Sequence, residues 1–279
     1  MTYDVIVIGG GPAGLSGAVA LGRALRSVLV IDSGAPRNAK ADGIHNFLTR
    51  DGMTPAEFHA AGRAEVKKYG GELVDGEVVA VRRAGSTFHV RLADGSAHEA
   101  RRLLVTAGLV DVLPDIPGLA ERWGETVLHC PYCHGYEVRG RAIGVLGDAE
   151  KVRLWSQWSK DVVQLAVDDV AAVENGGVRL KDGSFVARDY LVVTTRMEAR
   201  GGFLEEIGLR PVEHPMGIGS YIPAVDPSGR TEVPGVWVAG NIADPMAQVI
   251  TSAGAGLTAG AMINFDLINA QDEARDSSR

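Results

Sequence analysis

Val5-Ile6-Val7-Ile8 is a short β-branched run, and Gly9-Gly10-Gly11-Pro12-Ala13-Gly14 follows it directly. A periodic segment from Gly14 to Leu25 comes next, then a second β-branched run, Val28-Leu29-Val30-Ile31, ending in Asp32. This order reads as strand, helix, strand. Gly9, Gly11 and Gly14 fit G-x-G-x-x-G between the first strand and the helix. Gly9 permits a tight turn, Gly11 lets a pyrophosphate approach the backbone, and Gly14 permits close helix–strand packing, while the helix N-terminus attracts the phosphate charge. Asp32 stands where an acidic residue about 20 positions on hydrogen-bonds ribose hydroxyls. The glycines alone would fit a structural turn; in this context they predict a dinucleotide site that includes Gly9, Gly11, Pro12, Ala13, Gly14 and Asp32.

Further along, Gly34 to Arg50 is loop-like and Pro55 to Tyr69 reads as a helix with proline near its first turn. Glu77 to Val81, Phe88 to Leu92 and His98 to Val105 read as a meander, with Ala93-Asp94-Gly95-Ser96 as a hairpin turn. Asp111 to Gly118 carries two prolines and reads as a linker. A second unit starts with the strand around Ala142 to Gly147. It continues through a helical Ala149 to Ser159 and the strand Val162 to Val167, and closes with Tyr190 to Thr194. Between Val167 and Val178 the chain is too short for another crossover helix, since a parallel connection needs about a dozen residues. The second unit is therefore reduced. Gly235 to Asn241 reads as a strand returning to the first sheet, followed by a small-residue helix from Ile250 to Ile268; the polar tail from Gln271 is expected to fray.

Cys130-Pro131-Tyr132-Cys133-His134 contains both cysteines of the 279-residue chain. With no third cysteine, disulfide chemistry inside one subunit is the opening and closing of this pair. A thiolate in such a motif is readily stabilised by the amides of a following helical turn. A net charge of −7 argues against a nucleic-acid binder. The N-terminus has neither a basic leader nor a spanning helix, so a cytoplasmic protein is expected, where Cys-x-x-Cys is more often catalytic than structural.

Val7 to Gly14, Thr106-Ala107-Gly108 and the stretch Gly235 to Asn241 with its following helix resemble the three FAD-contacting regions of the thioredoxin-reductase-like disulfide oxidoreductases. The resemblance spans almost the whole chain. It implies FAD as cofactor, with Gly11, Ala13, Asp32, Arg37 and Asn38 toward its ADP half. Thr106, Ala107 and Gly108 form the second region, and Gly240, Asn241, Gln248 and Val249 face ribitol and flavin. In that family the Cys-x-x-Cys lies on the smaller inserted domain. The implied fold is α/β with two Rossmann-like domains: a discontinuous FAD domain (1–111 and 226–279) and a reduced, Cys-x-x-Cys-bearing domain inserted at 112–225. A homodimer is implied as well.

Two departures redirect the function. Thioredoxin reductases typically carry Asp after the second cysteine and in their AGD motif; this chain has His134 and Asn241. Asn keeps hydrogen-bonding capacity without charge, whereas His134 titrates near neutrality and can take a proton from a thiol. The Cys-Pro-Tyr-Cys-His-Gly form resembles the dithiol oxidases that make the gliotoxin and holomycin disulfides. Second, Gly144-Val145-Leu146-Gly147-Asp148-Ala149-Glu150 stands where the reductases carry their NADPH fingerprint, and Asp148 and Glu150 would repel a phosphate, with a degenerate NADH site as the alternative.

The resulting expectation is FAD-dependent oxidation of a small-molecule dithiol, with Cys130 as the exchange cysteine, Cys133 nearer the flavin, His134 as base and dioxygen as acceptor. The rivals are a disulfide reductase driven by NAD(P)H or ferredoxin, and a non-enzymatic flavin-binding sensor. Of the other histidines, His129 precedes Cys130 and either tunes its thiolate or, the plainer reading, is packed or solvent-facing; His45 and Asn46 either face the flavin pocket or hydrogen-bond within their loop. A zinc site is disfavoured because Cys130, Cys133, His129 and His134 crowd within six residues. Trp155 and Trp158, three apart on a helix, either form a partner-docking or subunit surface or, the plainer account, are buried against the small domain.

Overall fold

β-Branched residues at consecutive positions suit strands covered on both faces, and the first strand, β1 (Thr2–Ile8), is central to its sheet. The computed structural model describes residues 1–276. It divides the chain into two units, one of residues 1–39, 56–110 and 197–279 and the other of residues 40–55 and 111–196.

In the first unit β1 leads through α1 (Pro12–Arg23) to β2 (Val28–Asp32), and α2 (Pro55–Lys68) leads to β3 (Glu72–Asp75). The strands β4 (Val78–Ala84), β5 (Thr87–Leu92) and β6 (Ala97–Val105) form the meander. The sheet order is β3-β2-β1-β6-β5-β4. β1 is parallel to both β2 and β6, whereas β5 is antiparallel to β6.

The chain leaves this unit within β7 (Leu109–Val112). The second unit holds β8 (Val127–Leu128), α3 (Pro131–His134), β9 (Ile143–Leu146), α4 (Ala149–Trp155) and β10 (Val162–Leu165). It continues with β11 (Val170–Glu174), β12 (Gly177–Leu180), β13 (Phe185–Ala187) and β14 (Tyr190–Val193). The order β10-β9-β14-β8 makes a parallel sheet. The missing crossover helix is replaced by the antiparallel sheet β11-β12-β13. Its Val170, Val173 and Val178 share a core with Leu146, Leu165 and Leu191 of the parallel strands.

The chain returns within β15 (Arg196–Ala199) and forms β16 (Val212–Glu213), β17 (Ser220–Tyr221), β18 (Val236–Val238) and α5 (Val249–Asp276). β18 pairs in parallel with the C-terminal end of β6. The long helix runs past the expected stop at Ile268 to Asp276.

Three boundaries differ from the sequence reading. Residues 197–225 belong to the first unit, because Leu204, Leu209 and Ile222 are buried in the core around Ile6, Phe88 and Leu103. Residues 40–55 belong to the second. The expected linker is already structural at its end: Ile116 and Leu119 are buried, and a Cβ at Gly118 would lie 2.1 Å from the Val173 carbonyl oxygen.

Candidate active site

The first element of the site is the loop between β1 and α1. Gly9 has φ +107°, and a Cβ there would meet the Thr106 carbonyl oxygen at 2.4 Å. A Cβ on Gly14 would stand 1.9 Å from the Gly9 oxygen, so the helix reaches the strand only because this position is bare. Gly11 differs: an added Cβ would meet nothing within 4 Å. Gly11 is also the N-cap of α1 and supplies no side-chain hydrogen bond, while Pro12 occupies the first turn. Open space over an uncapped helix N-terminus fits a pyrophosphate, whose charge the amide dipoles favour.

The other predicted cofactor residues gather on the same unit. Asp32 at the end of β2 accepts the Gly10 amide hydrogen at 3.0 Å. Thr106, buried at the end of β6, donates its hydroxyl toward the carbonyls of Ile8 (3.0 Å) and Gly9 (2.8 Å). Ala107 packs against the core, and Gly108 follows at φ +71°. Gly240, φ +75°, leaves room for Ala13, whose Cβ would lie 2.9 Å from an added methyl. Asn241 orders the following turn: Nδ2 donates to the carbonyls of Asp244 (3.1 Å) and Ala247 (2.9 Å), and Oδ1 accepts from Arg37 at 3.3 Å. Gln248 and Val249 are half-buried where α5 begins, and Asn38 is half-buried in the loop after β2.

His59 and Arg63 of α2 escaped the sequence reading. His59 Nδ1 lies 3.2 Å from the Gly10 carbonyl, and its Nε2 is buried without a partner. Arg63 lies 3.7 Å from Asp32 and 2.7 Å from Asp75. Four residues apart on α2, the two share one face, but no local signal says which loop that face meets.

The second element is the Cys-x-x-Cys segment, in the other unit. Cys130 is the N-cap of the single turn α3, and its carbonyl accepts hydrogen bonds from the amides of Cys133 and His134, both at 3.2 Å. Both cysteines are half-buried. Tyr132 between them is exposed and meets Trp158 edge-on at 5.7 Å. Trp155 is buried, as expected of a packing residue, and His129 Nδ1 lies 3.2 Å from the Val193 carbonyl. Burial holds the His134 pKa below the ordinary histidine value; Glu137 opposes that shift, His45 adds to it and Asp42 opposes it. His45 and Asn46 turn out to touch this segment: Asn46 Nδ2 donates to the Tyr132 carbonyl at 2.7 Å, and His45 lies 3.6 Å from Glu137. No cluster of three or more metal-ligating side chains occurs among the described residues.

The counterpart of the nucleotide loop in the second unit, between β9 and α4, is built differently. Asp148 caps α4, its carboxylate accepting the Lys151 amide hydrogen at 2.9 Å. Lys151 Nζ bonds to the Thr194 hydroxyl, and Gln164 donates to the Gly147 carbonyl at 2.8 Å. Burial lowers the Lys151 pKa against the opposing pull of Asp148. A carboxylate therefore stands at this helix start, where a nucleotide phosphate would be repelled.

A family model described as pyridine nucleotide-disulphide oxidoreductase matches residues 3–147, over half the chain and including both the glycine loop and the cysteine pair. The chain belongs to this family. Among similar proteins, thioredoxin reductase tcpT of Claviceps purpurea (strain 20.1) is 31% identical over 95% of this chain and 94% of its own length. Thioredoxin reductase sirT of Leptosphaeria maculans is 29% identical, covering 98% and 97%. The crystal structure of HlmI superposes with a TM-score of 0.90 at 42% identity, covering 99% of this chain and 96% of that one. The protein is thus a thioredoxin-reductase-like, FAD-binding flavoprotein and an oxidoreductase. No helix among its described residues is long and apolar enough to cross a membrane.

Proposed function

We propose that this flavoprotein oxidises the two thiols of a small molecule to a disulfide, with dioxygen as terminal acceptor. The observation that carries the reading is the contrast between two helix starts. Gly11 leaves the first open for a cofactor phosphate, while Asp148 fills the second with a carboxylate. Electrons then have an acceptor on the protein, but a nicotinamide nucleotide lacks a matching cradle.

The chemistry runs through the oxidised Cys130–Cys133 pair. A substrate thiolate attacks the Cys130 sulfur, forming a mixed disulfide and releasing the Cys133 thiolate. The second substrate thiol, once deprotonated, attacks its partner sulfur, closing the substrate disulfide and releasing Cys130. Two electrons and two protons leave the substrate. His134, held neutral by burial, accepts a proton from an incoming thiol. When bound, FAD would supply a two-electron acceptor for the reduced cysteine pair, and Gly9 to Gly14, Asp32, the Thr106 to Gly108 stretch and the Gly240 to Val249 region would hold it. The same reading includes a homodimer.

The test is anaerobic reduction of the purified holoprotein by NADPH, NADH or a small dithiol, followed by air and peroxide detection. Bleaching of the flavin by the dithiol alone, recovery in air, and loss of both in Cys133→Ser support the oxidase. Rapid bleaching by NADPH would return the protein to the reductases.

A further inference from the structure

Residues 44–53 form a small closed loop on the unit that carries the cysteines. Ile44 and Met53 pair as an isolated antiparallel bridge, the Ile44 amide donating to the Met53 carbonyl at 2.8 Å. Ile44 is buried beneath it. Within the loop Asn46 and Thr49 hold φ values of +60° and +73°, a region that non-glycine residues enter rarely and β-branched ones hardly at all. Strain of this kind persists where surrounding contacts enforce it.

Those contacts run to the Cys-x-x-Cys segment. Asn46 donates its side-chain amide to the Tyr132 carbonyl at 2.7 Å and its backbone amide to Asp51 Oδ1 at 3.0 Å. His45 lies between two carboxylates, Nδ1 at 3.5 Å from Asp51 and Nε2 at 3.6 Å from Glu137. Glu137 sits three residues after His134 in the turns that continue α3, where the Val138 amide donates to the His134 carbonyl at 3.2 Å. The charged groups that bear on the His134 proton include Glu137 of its own segment and Asp42 of the other, which favour it, and His45, which opposes it.

We propose that His45 is a positioning residue for the dithiol segment: held between Asp51 and Glu137, it claims the Glu137 carboxylate as its own partner and so governs how readily His134 holds a proton. A positive charge on His45 repels one on His134, and the carboxylate it engages is less able to stabilise an imidazolium there. The catalytic meaning of this control rests on the dithiol-oxidase reading; the control itself does not.

The experiment is an NMR titration of the His134 ring in the holoprotein without substrate. His45→Gln is expected to move the His134 midpoint upward, and Glu137→Gln to move it downward. His45→Lys, which keeps the positive charge, should leave it at or below the wild-type value. A His134 midpoint unmoved by His45→Gln, or moved in the same direction as by Glu137→Gln, overturns the proposal. If His45→Gln does not fold, His45→Asn serves instead, with the same upward shift expected. The acid limb of dithiol turnover should shift in the same order. Opposed shifts without any dithiol turnover would uphold His45 and sink the oxidase; turnover with an unmoved His134 would do the reverse.

Discussion

Asp32 Oδ1 accepts the Gly10 amide hydrogen at 3.0 Å, tying the end of β2 to the loop between β1 and α1. The carboxylate carries half of a charge-assisted bond that shapes the glycine loop. Such bonds contribute about 1.5–3 kcal/mol, so Asp32→Ala should weaken FAD binding by roughly tenfold or more. The ratio of flavin to protein absorbance after gel filtration reads this directly, and full flavin retention would refute it.

Gly11 and Gly14 should fail in different ways. Gly14→Ala drives a methyl to 1.9 Å from the Gly9 oxygen, an overpacking that typically costs about 1–3 kcal/mol; thermal unfolding of the flavin-free protein should show it. Gly11→Ala meets no protein atom within 4 Å, so the flavin-free protein should lose only the modest stability of a poorer N-cap while FAD affinity falls. Equal melting losses in the two variants would contradict the assignment of open space to the phosphate.

Because burial holds the His134 pKa below the ordinary histidine value, its neutral, proton-accepting form persists to lower pH. Dithiol turnover should fall as pH drops through that depressed value, and His134→Gln should lower kcat/KM and flatten the acid limb. The unfolded chain binds this proton more readily, so His134 also contributes stability that is lost as pH falls from its unfolded value through the folded one. A pH–rate profile and acid melts check the two statements separately.

Asp148 caps α4 through the Lys151 amide. Removing an N-cap carboxylate costs about 1 kcal/mol, so Asp148→Ala should lower the melting temperature without making NADPH a competent reductant. Appearance of fast NADPH-dependent bleaching in this variant would place the whole block to nucleotide binding in one side chain.

On α5, Ile250, Leu257, Phe265 and Ile268 are exposed along one stripe, opposite the buried Ala259, Ile263 and Leu267. With Ala261 and Asn264, Leu257 also lines a groove of about 360 Å³ beside Ser16, Val19 and Arg23 of α1. An apolar stripe of this kind suits association with a second copy. Light scattering should find a homodimer, and Leu257→Asp should shift it toward monomer; an unchanged mass would put the interface elsewhere.

Much of this protein is written in neighbouring residues. The β1-α1-β2 unit, the glycine loop, the hairpin at Asp94 and Gly95, and the reduced second unit follow from periodicity, turn chemistry and chain length, which act over a few residues. The Cys-x-x-Cys spacing of Cys130 and Cys133 is legible for the same reason. Other features depend on which apolar surfaces meet. Leu204, Leu209 and Ile222 draw residues 197–225 into the first unit, away from the expected insert. Ile44 and the Ile44–Met53 bridge form the loop that brings His45 and Asn46 to the cysteine segment. His59 reaches Gly10 only because α2 settles against the fingerprint loop. Burial is non-directional and acts between residues far apart in the chain, so the partners of these side chains were decided by tertiary packing, while the glycine loop and the cysteine spacing were decided by sequence.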